Sequence, residues 1–421
     1  MIDLKQTKLT DGVNIFFNRT QKFKTATVSI YIHRKLEAEE VAKNALLPYV
    51  LRRGCTAFPT SQDISGYLES LYGTIFDCSV NKKGEDQILA FNFEMIHDDY
   101  TKDNMLEKVL NLAKSILFDP LVENGAFKSE YVRQEKEILK DMINGMLNNK
   151  MAYSIERCYQ EMCKGEPFGN YELGSIEEVD NIQNEELFAH YQQVIKSSPI
   201  DIFISGNYEE SSIHNMVNDV FKFKNEARKQ YPESIIKSDV AEVKTIEEQM
   251  DITQGKLTLG FRTKTSPKDQ DYYALAVYNG ILGGGPHSKL FNNVREKQSL
   301  AYYAFSRIEK FKGLMIIGSG IEIENYQKAL EEIKLQVEEI KKGNISDYEY
   351  EATINSAING IRSLSDSAFQ MEDYYLSQLV GGTEDNFESL IQKIQAVKKE
   401  DVVAVAQKIQ LDTIYFLRSK G

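Results

Sequence analysis

An internal repeat constrains the fold of this chain more than any other feature of the sequence. In each half, a strand-like run is followed by two helical patterns and then by a short apolar strand. The closing strands are IDIFISG, near residues 200–206, and TIYFLRS, near residues 413–419. The tripeptide Ile-Asn-Gly also recurs, at 143–145 and again at 358–360. This duplication predicts an α+β fold with two homologous domains, each a mostly antiparallel sheet with helices packed on one face.

Length and local composition predict where the two domains divide. At 421 residues the chain is longer than one hydrophobic core usually supports. Residues 222–247 are rich in Lys, Glu and Ser, with one Pro, and have the composition of a linker. We therefore expect an N-terminal domain at 1–221, a linker at 222–247 and a C-terminal domain at 248–421.

The charge balance excludes several classes of protein. A net charge of -13 argues against nucleic-acid binding, which selects basic surfaces. The N-terminal residues lack the apolar core of a signal peptide, and no apolar run is long enough to span a bilayer. The sequence thus predicts a cytoplasmic protein that binds neither nucleic acid nor membrane.

Neither the cysteines nor the histidines have the spacing of a metal site. The four cysteines are expected to be small buried hydrophobic residues rather than ligands or disulfide partners: Cys55, Cys78, Cys158 and Cys163. No two of the five histidines stand at ligand spacing. His33 with Glu37 is the only suggestive combination, and we expect His33 to be an exposed residue at a strand end.

Five motifs stand in order along the chain, and together they resemble one family. They are LRRGCT at 51–56, EKEILKDM at 135–142, PFGNYELG at 167–174, LGGGPHSKLF at 282–291 and REKQSLAY at 295–302. The whole chain resembles the pitrilysin/insulinase metallopeptidase family, in the short-subunit branch that includes the mitochondrial processing peptidases. The resemblance implies domains of the metallopeptidase α/β roll type in a clamshell arrangement.

The zinc motif of that family, H-x-x-E-H, has lost its chemistry in this chain. The resemblance aligns its three working positions with Ala45, Pro48 and Tyr49, and the third metal ligand with Met142. A zinc site of this class needs two imidazoles one helical turn apart and a carboxylate that takes a proton from the bound water. Alanine, proline and a thioether supply none of these groups, and a phenol is a poor ligand. We therefore expect no metal in this chain.

Two local expectations accompany the lost motif. Proline in a helix interior costs about 3 kcal/mol, so the helix around Pro48 is expected to begin near that residue or to be kinked there. Met142 lies on an amphipathic helical pattern, where methionine is usually a core residue.

The second half retains the family's other functional elements. In the family, an Arg/Tyr pair faces the zinc from the opposite wall and contacts the substrate carbonyl or the tetrahedral intermediate, and the resemblance assigns that role to Arg295 and Tyr302. A guanidinium and a phenol suit this role because both donate hydrogen bonds to a developing oxyanion. The resemblance also assigns peptide contact to Gly283, Gly284 and Gly285. Their lack of side chains permits close approach of a backbone, or unusual φ angles.

These observations combine into one functional hypothesis. The chain is expected to be a non-catalytic subunit of a zinc endopeptidase, which binds an extended peptide and supplies Arg295 and Tyr302 to the zinc site of a partner. The partner is expected to be a subunit of similar size that carries H-x-x-E-H, in a heterodimer, or a second copy in a homodimer.

Two alternatives remain open. One is a scaffold or peptide-binding protein of the same fold that plays no part in hydrolysis. The other is a peptidase with relocated metal ligands, in which Glu37, Glu39 or Glu40 binds zinc together with a stray histidine.

Overall fold

The computed structural model describes residues 4–224, 228–231, 233–237 and 239–420. The chain forms two compact units. The first unit comprises Met1–Asn144 and Asn170–Pro232, and the second comprises Gly145–Gly169 and Glu233–Gly421. The boundary between 232 and 233 falls inside the predicted linker. Of that linker, residues 225–227, 232 and 238 lie outside the described residues.

The described residues form thirteen strands and fourteen α-helices. The strands are β1 Leu4–Thr10, β2 Val13–Arg19, β3 Thr25–Lys35, β4 Ile75–Lys83, β5 Asp86–Ile96, β6 Val122–Glu123, β7 Ala126–Phe127, β8 Ile200–Gly206, β9 Lys244–Met250, β10 Gly255–Arg262, β11 Ala301–Glu309, β12 Leu314–Ile321 and β13 Gln410–Ser419. The helices are α1 Val41–Leu51, α2 Ser61–Ser70, α3 Met105–Phe118, α4 Ser129–Asn148, α5 Lys150–Met162, α6 Ile176–Asn181, α7 Asn184–Ser197, α8 Glu210–Phe221, α9 Tyr272–Gly283, α10 Tyr326–Lys341, α11 Asp347–Leu364, α12 Ala368–Gly381, α13 Phe387–Ala396 and α14 Lys399–Ala406.

The two main sheets have the same topology, which confirms the repeat predicted from the sequence. The sheet of the first unit has the order β1-β2-β8-β3-β5-β4, and that of the second has β11-β12-β10-β13-β9. Read from its other end, the second order is β9-β13-β10-β12-β11, which matches the first strand for strand once β1 is removed. Each sheet is antiparallel except at one equivalent pair, β2 with β8 and β9 with β13. The α+β fold of two homologous domains is therefore confirmed.

The core of the first unit lies between its sheet and the helices on one face. Strand β3 presents Val28, Ile30 and Ile32 to this core, all at most 1% exposed, because alternate residues of a strand share a face. Apolar residues of α1, α3, α7 and α8 pack against them. Burial of this apolar surface is the main term that stabilises the unit.

The second unit has helices on both faces of its sheet, which differs from the predicted single helical layer. Strand β12 is buried along its whole length. Met315 and Ile317 face α9, α10 and α14, whereas Leu314 and Ile316 face the opposite side. Helix α5 covers that opposite side, where Met162 packs. Residues 145–169, assigned from the sequence to the N-terminal domain, therefore belong to the second unit.

A buried charge network fastens this segment to the second sheet. Arg262 on β10 pairs with Glu166 and with Asp412, each with a nitrogen–oxygen distance of 2.8 Å. Lys312 approaches the other oxygen of Glu166 at 2.8 Å. All four side chains are less than a tenth exposed. Each buried charge has an opposite charge beside it, which offsets the free-energy cost of removing it from water. This compensation would be lost if residues 145–169 separated from the sheet.

Several smaller predictions can also be compared with the structure. The four cysteines are free and buried, as expected. No helix in the described part of the chain is both long and apolar enough to cross a membrane.

Candidate functional site

Helix α1, which carries the degenerate motif, begins at Val41 and runs through Pro48. The expectation that the helix begins near Pro48 is therefore wrong. Asn44, one turn before the proline, is fully buried and is held by side chains from two other elements. It donates to Gln87 at 2.9 Å, and its carbonyl oxygen lies 2.7 Å from His190 Nε2. Tertiary contacts thus outweigh the unfavourable helix propensity of proline.

The three motif positions point into the protein core, where they offer no metal ligand. Ala45 is completely buried, Pro48 is buried, and Tyr49 is 9% exposed. Burial, and to a smaller extent the neighbouring Cys78 and Asp77, raises the pKa of the Tyr49 phenol to about 12. Because a metal binds the phenolate, a phenol that keeps its proton at neutral pH is not a competent ligand.

Two arginines stand next to these positions, and one of them, Arg53, pairs with the glutamate that the family motif retains. Arg53 Nε lies 2.8 Å from Glu135 Oε1, and Glu135 is buried. Burial raises the pKa of Glu135, against the opposing effect of Arg53 and Arg52. Arg52 lies further from its neighbours, with Nη1 3.9 Å from both Asp77 Oδ1 and Cys78 Sγ. Two guanidinium groups repel a divalent cation, so the residues at this position do not fit zinc.

Met142, at the position of the third metal ligand, lies on the surface of α4. It is 38% exposed, so the expectation of a core methionine is wrong. The buried residues of α4 are Val132, Glu135 and Leu139, and Ile143 packs against the core one turn later. This stripe leaves Met142 beside the buried face rather than on it.

The alternative of relocated ligands finds no support in the geometry of the first unit. Glu37 and Glu39 are exposed, and Glu40 forms an ion pair with Arg34. Burial tends to raise the pKa of Glu40, but the hydrogen bond and charge of Arg34 outweigh that effect and lower it. Over all described residues, no group of three or more His, Cys, Asp and Glu side chains is placed to hold a metal ion.

His33 lies within the sheet and is not the exposed strand-end residue that we expected. Its side chain is 13% exposed, and Nε2 lies 2.9 Å from Asp201 Oδ2 on the neighbouring strand β8. The expectation was wrong because β3 extends to Lys35 and pairs on both sides, with β5 and with β8. The suggested combination of His33 with Glu37 is replaced by His33 with Asp201.

The triple glycine ends helix α9, and internal packing accounts for two of its three members. A Cβ on Gly283 would lie 2.3 Å from the amide nitrogen of Ser306 on β11. A Cβ on Gly284 would lie 2.6 Å from Gly280 Cα, whereas a Cβ on Gly285 would meet only the His287 ring, at 3.3 Å. None of the three has a positive φ. Of the three, Gly285 has the most space around its Cβ position, and both Gly284 and Gly285 are at least partly exposed.

The loop after the glycines is fixed to helix α11 by buried polar contacts. His287 Nε2 lies 3.0 Å from Thr353 Oγ1, and Lys289 Nζ lies 3.0 Å from Glu349 Oε1. The other oxygen of Glu349 accepts from the backbone and hydroxyl of Ser346, which caps α11. These positioning residues were not identified from the sequence, because their partners lie about 60 residues away, beyond the reach of local patterns.

Arg295 lies on a π-helix that follows this loop, Leu290–Lys297. Such helices are rare and frequently occur at functional sites. Its guanidinium carbon lies 4.6 Å above the Phe291 ring, and Nε is 3.6 Å from Glu296 Oε1. The side chain is 42% exposed, so it is available to a ligand from outside the chain.

Tyr302 follows a strained backbone segment and lies on a β-bulge. Ser299 has a φ of 52°, which is unfavourable for a residue other than glycine. The pairing of β11 with β12 then shifts between Ala301 and Tyr303, so Tyr302 is the extra residue. Tyr302 is 57% exposed, and its hydroxyl donates to Glu322. Bulges of this kind redirect a side chain.

The structure thus places the predicted site residues in two groups. Ala45, Pro48, Tyr49 and Met142 belong to the first unit, whereas the glycines, Arg295 and Tyr302 belong to the second. Arg295 and Tyr302 lie on neighbouring elements of one unit, but each has its own polar partner. No motif in the sequence identifies Glu322, the partner of Tyr302.

Comparison with known proteins places this geometry in a family. A family model described as "Peptidase M16 inactive domain" matches residues 181–357. The chain is 38% identical over 409 residues to the "Probable inactive metalloprotease YmfF" of Bacillus subtilis (strain 168), covering 97% of this chain and 96% of that protein. It is 22% identical over 332 residues to the "Uncharacterized zinc protease YmxG" of the same organism, covering 77% and 78%. A crystal structure of a conserved protein from Enterococcus faecalis V583 superposes with a TM-score of 0.90 at 29% identity, covering 99% of both chains.

Proposed function

This chain belongs to the peptidase M16 family as a non-catalytic member, and we propose that it completes the active site of a zinc-bearing member of the same family. One observation carries the proposal: the metal-binding positions are lost, but Arg295 and Tyr302 are kept exposed on irregular backbone. A chain that only preserved its fold would not need a π-helix and a bulge at those two residues, because regular backbone is more stable.

The chemistry of the two side chains fits the stabilisation of a tetrahedral intermediate. The hydrogen bond to Glu322 raises the pKa of Tyr302, so the phenol keeps its proton at neutral pH, and its single O–H would turn from Glu322 to the oxyanion in the completed site. Arg295 carries a permanent positive charge. In a site from which water is excluded, donors of this kind stabilise the oxyanion that forms when water attacks a peptide carbonyl. The zinc that activates the water would be held by the partner.

An edge strand supports the binding of an extended peptide next to these donors. Strand β11, which carries Tyr302, is the last strand of its sheet and pairs only with β12. Its outer N–H and C=O groups are available for the main chain of a peptide, which is the usual basis of β-strand addition. Gly285 is the member of the triple glycine with the most space around its Cβ position.

The proposed partner is a chain of similar size that carries H-x-x-E-H. In Bacillus subtilis, a relative named as an inactive metalloprotease occurs together with a relative named as a zinc protease. The co-occurrence of both types in one organism supports a heterodimer of a metal-free and a zinc-loaded subunit. A homodimer would bring together two sites that both lack the metal ligands.

Mixing the two purified chains tests the proposal. The partner is the H-x-x-E-H family member encoded in the same genome, loaded with zinc, and the readout is cleavage of a fluorogenic peptide library. We expect the mixture to cleave peptides that neither chain cleaves alone. Arg295→Gln or Tyr302→Phe should lower kcat about 100-fold, the usual effect of losing one oxyanion donor. Proteolysis by the zinc subunit that does not change on mixing would contradict the proposal.

Matched variants separate this function from that of a scaffold. Arg362→Gln and Tyr348→Phe remove exposed residues of the same types from α11 and should leave cleavage unchanged. If the mixture is active but Arg295→Gln and Tyr302→Phe have no effect, the chain acts as a scaffold or peptide-binding protein. Sedimentation of each mixture controls for loss of the complex itself.

A further inference from the structure

The position of the lost metal motif carries an arginine with spare hydrogen-bonding capacity. Arg52 is 48% exposed, and its nearest polar neighbours, Asp77 Oδ1 and Cys78 Sγ, lie 3.9 Å away, both from Nη1. Asp77 is 68% exposed, so this pair is weak. Within the described ranges, Nε and Nη2 of Arg52 have no hydrogen-bond partner. The planar side of the guanidinium that suits a bidentate acceptor is therefore open.

A second donor without a partner stands one helical turn earlier. Tyr49 is more than nine-tenths buried, yet no described residue forms a hydrogen bond with its hydroxyl. Tyr49 and Arg52 lie three residues apart at the end of α1, a spacing that places side chains next to each other on a helix, and the Arg52 charge is among those that act on the phenol. Unlike the Tyr278 hydroxyl, which is buried without a partner among the described residues, the Tyr49 hydroxyl reaches solvent and can donate to a group from outside the chain.

We propose that Arg52 and Tyr49 form a binding site for the carboxylate of a peptide, at the position where catalytic relatives hold zinc. A zinc site binds a cation, whereas a guanidinium at the same position binds an anion. Arg53 already neutralises Glu135, so Arg52 is the cation left for an external anion. A carboxylate accepts two parallel hydrogen bonds from a guanidinium, and a phenol that keeps its proton supplies a third donor.

The adjacent strand favours the C-terminal carboxylate of a peptide over other anions. Asp77 and Cys78 belong to β4, the last strand of the first sheet, which pairs only with β5. A peptide that paired with this edge and ended beside Asp77 would place its terminal carboxylate next to Arg52. A Glu or Asp side chain of a bound peptide offers the same carboxylate chemistry, so the experiment must distinguish the two sources.

The inference can be tested on the full chain alone. The probe is a hexapeptide of alternating alanine and valine with an N-terminal fluorescein, and binding is followed by fluorescence anisotropy. Three forms are compared: the free C-terminal acid, the C-terminal amide, and an amide with one internal glutamate. We expect the acid to bind at least ten times more tightly than the neutral amide, as for a charge-assisted bidentate pair. Tight binding of the glutamate amide would also support the site and would assign the carboxylate to a side chain.

Substitutions test whether the preference for the acid over the amide depends on Arg52 and Tyr49. Arg52→Gln should reduce the affinity for the acid to that for the amide, and Arg52→Lys should recover little because a lysine lacks the fork of donors. Tyr49→Phe keeps the ring in the core and should weaken the acid several-fold, without an effect on the amide. Arg362→Gln and Tyr348→Phe serve as controls, and thermal melting verifies that each variant is folded.

Three results would overturn the inference. They are equal affinity for the acid and the neutral amide, no binding of the acid at millimolar concentration, and an Arg52→Gln variant that is folded yet keeps the preference. This test needs no partner and does not involve Arg295 or Tyr302. Its failure would therefore leave the proposed function intact, and failure of the mixing experiment would leave the carboxylate site intact.

Discussion

Substitution of alanine for Gly283 should destabilise the second unit, because the added methyl group has no space. Its Cβ would lie 2.3 Å from Ser306 N and 2.8 Å from Phe305 C, both backbone atoms of β11. Ordinary carbon contacts are about 3.5–4.0 Å, so the strand would have to move by more than about 1 Å. Overpacking of this kind costs about 1–3 kcal/mol or more. Alanine recovers at most about 1 kcal/mol through its better helix propensity, so we expect a net loss of about 2 kcal/mol.

The matched control is Gly285→Ala, whose methyl group would meet only the His287 ring, at 3.3 Å, a contact that a shift of a few tenths of an ångström relieves. We expect its free energy of unfolding to stay within about 0.5 kcal/mol of the wild type. Urea unfolding followed by circular dichroism measures both variants. In thermal melts, a loss of 2 kcal/mol corresponds to a Tm lower by about 4–8 °C for a unit of this size. Wild-type stability of Gly283→Ala, or a larger loss in Gly285→Ala, would refute the packing argument.

Two further predictions concern buried charges. Burial lowers the pKa of His190 to about 4, so the unfolded chain takes up a proton at a higher pH than the folded chain does. The stability of the wild type relative to His190→Gln should therefore decrease by about 2–3 kcal/mol as the pH falls from 6.5 to 4, measured by urea unfolding at each pH. Glu166→Gln leaves Arg262 and Lys312 buried without a full counter-charge and should cost about 3–5 kcal/mol, whereas Glu338→Gln, in an exposed pair, should cost less than about 0.5 kcal/mol. Equal effects of these two glutamate variants in the same unfolding assay would contradict the network argument.

The topology could be predicted from the sequence because its signal is repeated and periodic. The stripe Ala329, Ile333, Val337 and Ile340 predicts one buried face of α10, and all four residues are less than a tenth exposed. The docking of α5 could not be predicted in this way. The apolar face of α5 predicts that the helix packs against another element. Hydrophobic burial is not directional, however, so the sequence does not identify which sheet that element belongs to. The ion pair between Arg262 and Glu166, which holds this segment against the second sheet, joins residues 96 positions apart in the sequence.

At the positions of the zinc motif, the sequence predicts only which groups are lacking. Alanine, proline and methionine cannot perform the chemistry of a zinc site in any geometry. Their presence at the motif positions is therefore enough to predict that the zinc chemistry is lost. Which groups now occupy the former metal position depends on where side chains lie in the folded chain. An example is the Tyr49 hydroxyl, which forms no hydrogen bond with a described residue. Pro48 shows that helix propensity alone does not predict this helix. Helix α1 includes the proline because tertiary contacts, such as those of the buried Asn44, hold the helix in place.

The backbone differs between the two groups of residues that the family resemblance identifies. At Ala45 and Tyr49, where the metal chemistry is gone, the chain is an ordinary buried helix. Between Arg295 and Tyr302 it combines a π-helix, a positive φ at Ser299 and a bulge. A positive φ at a residue other than glycine costs about 1–3 kcal/mol and persists where the surrounding structure maintains it. A chain free to lose this strain would gain stability from regular backbone, so its retention beside two exposed donors favours a role in binding or catalysis with a partner over a role in packing.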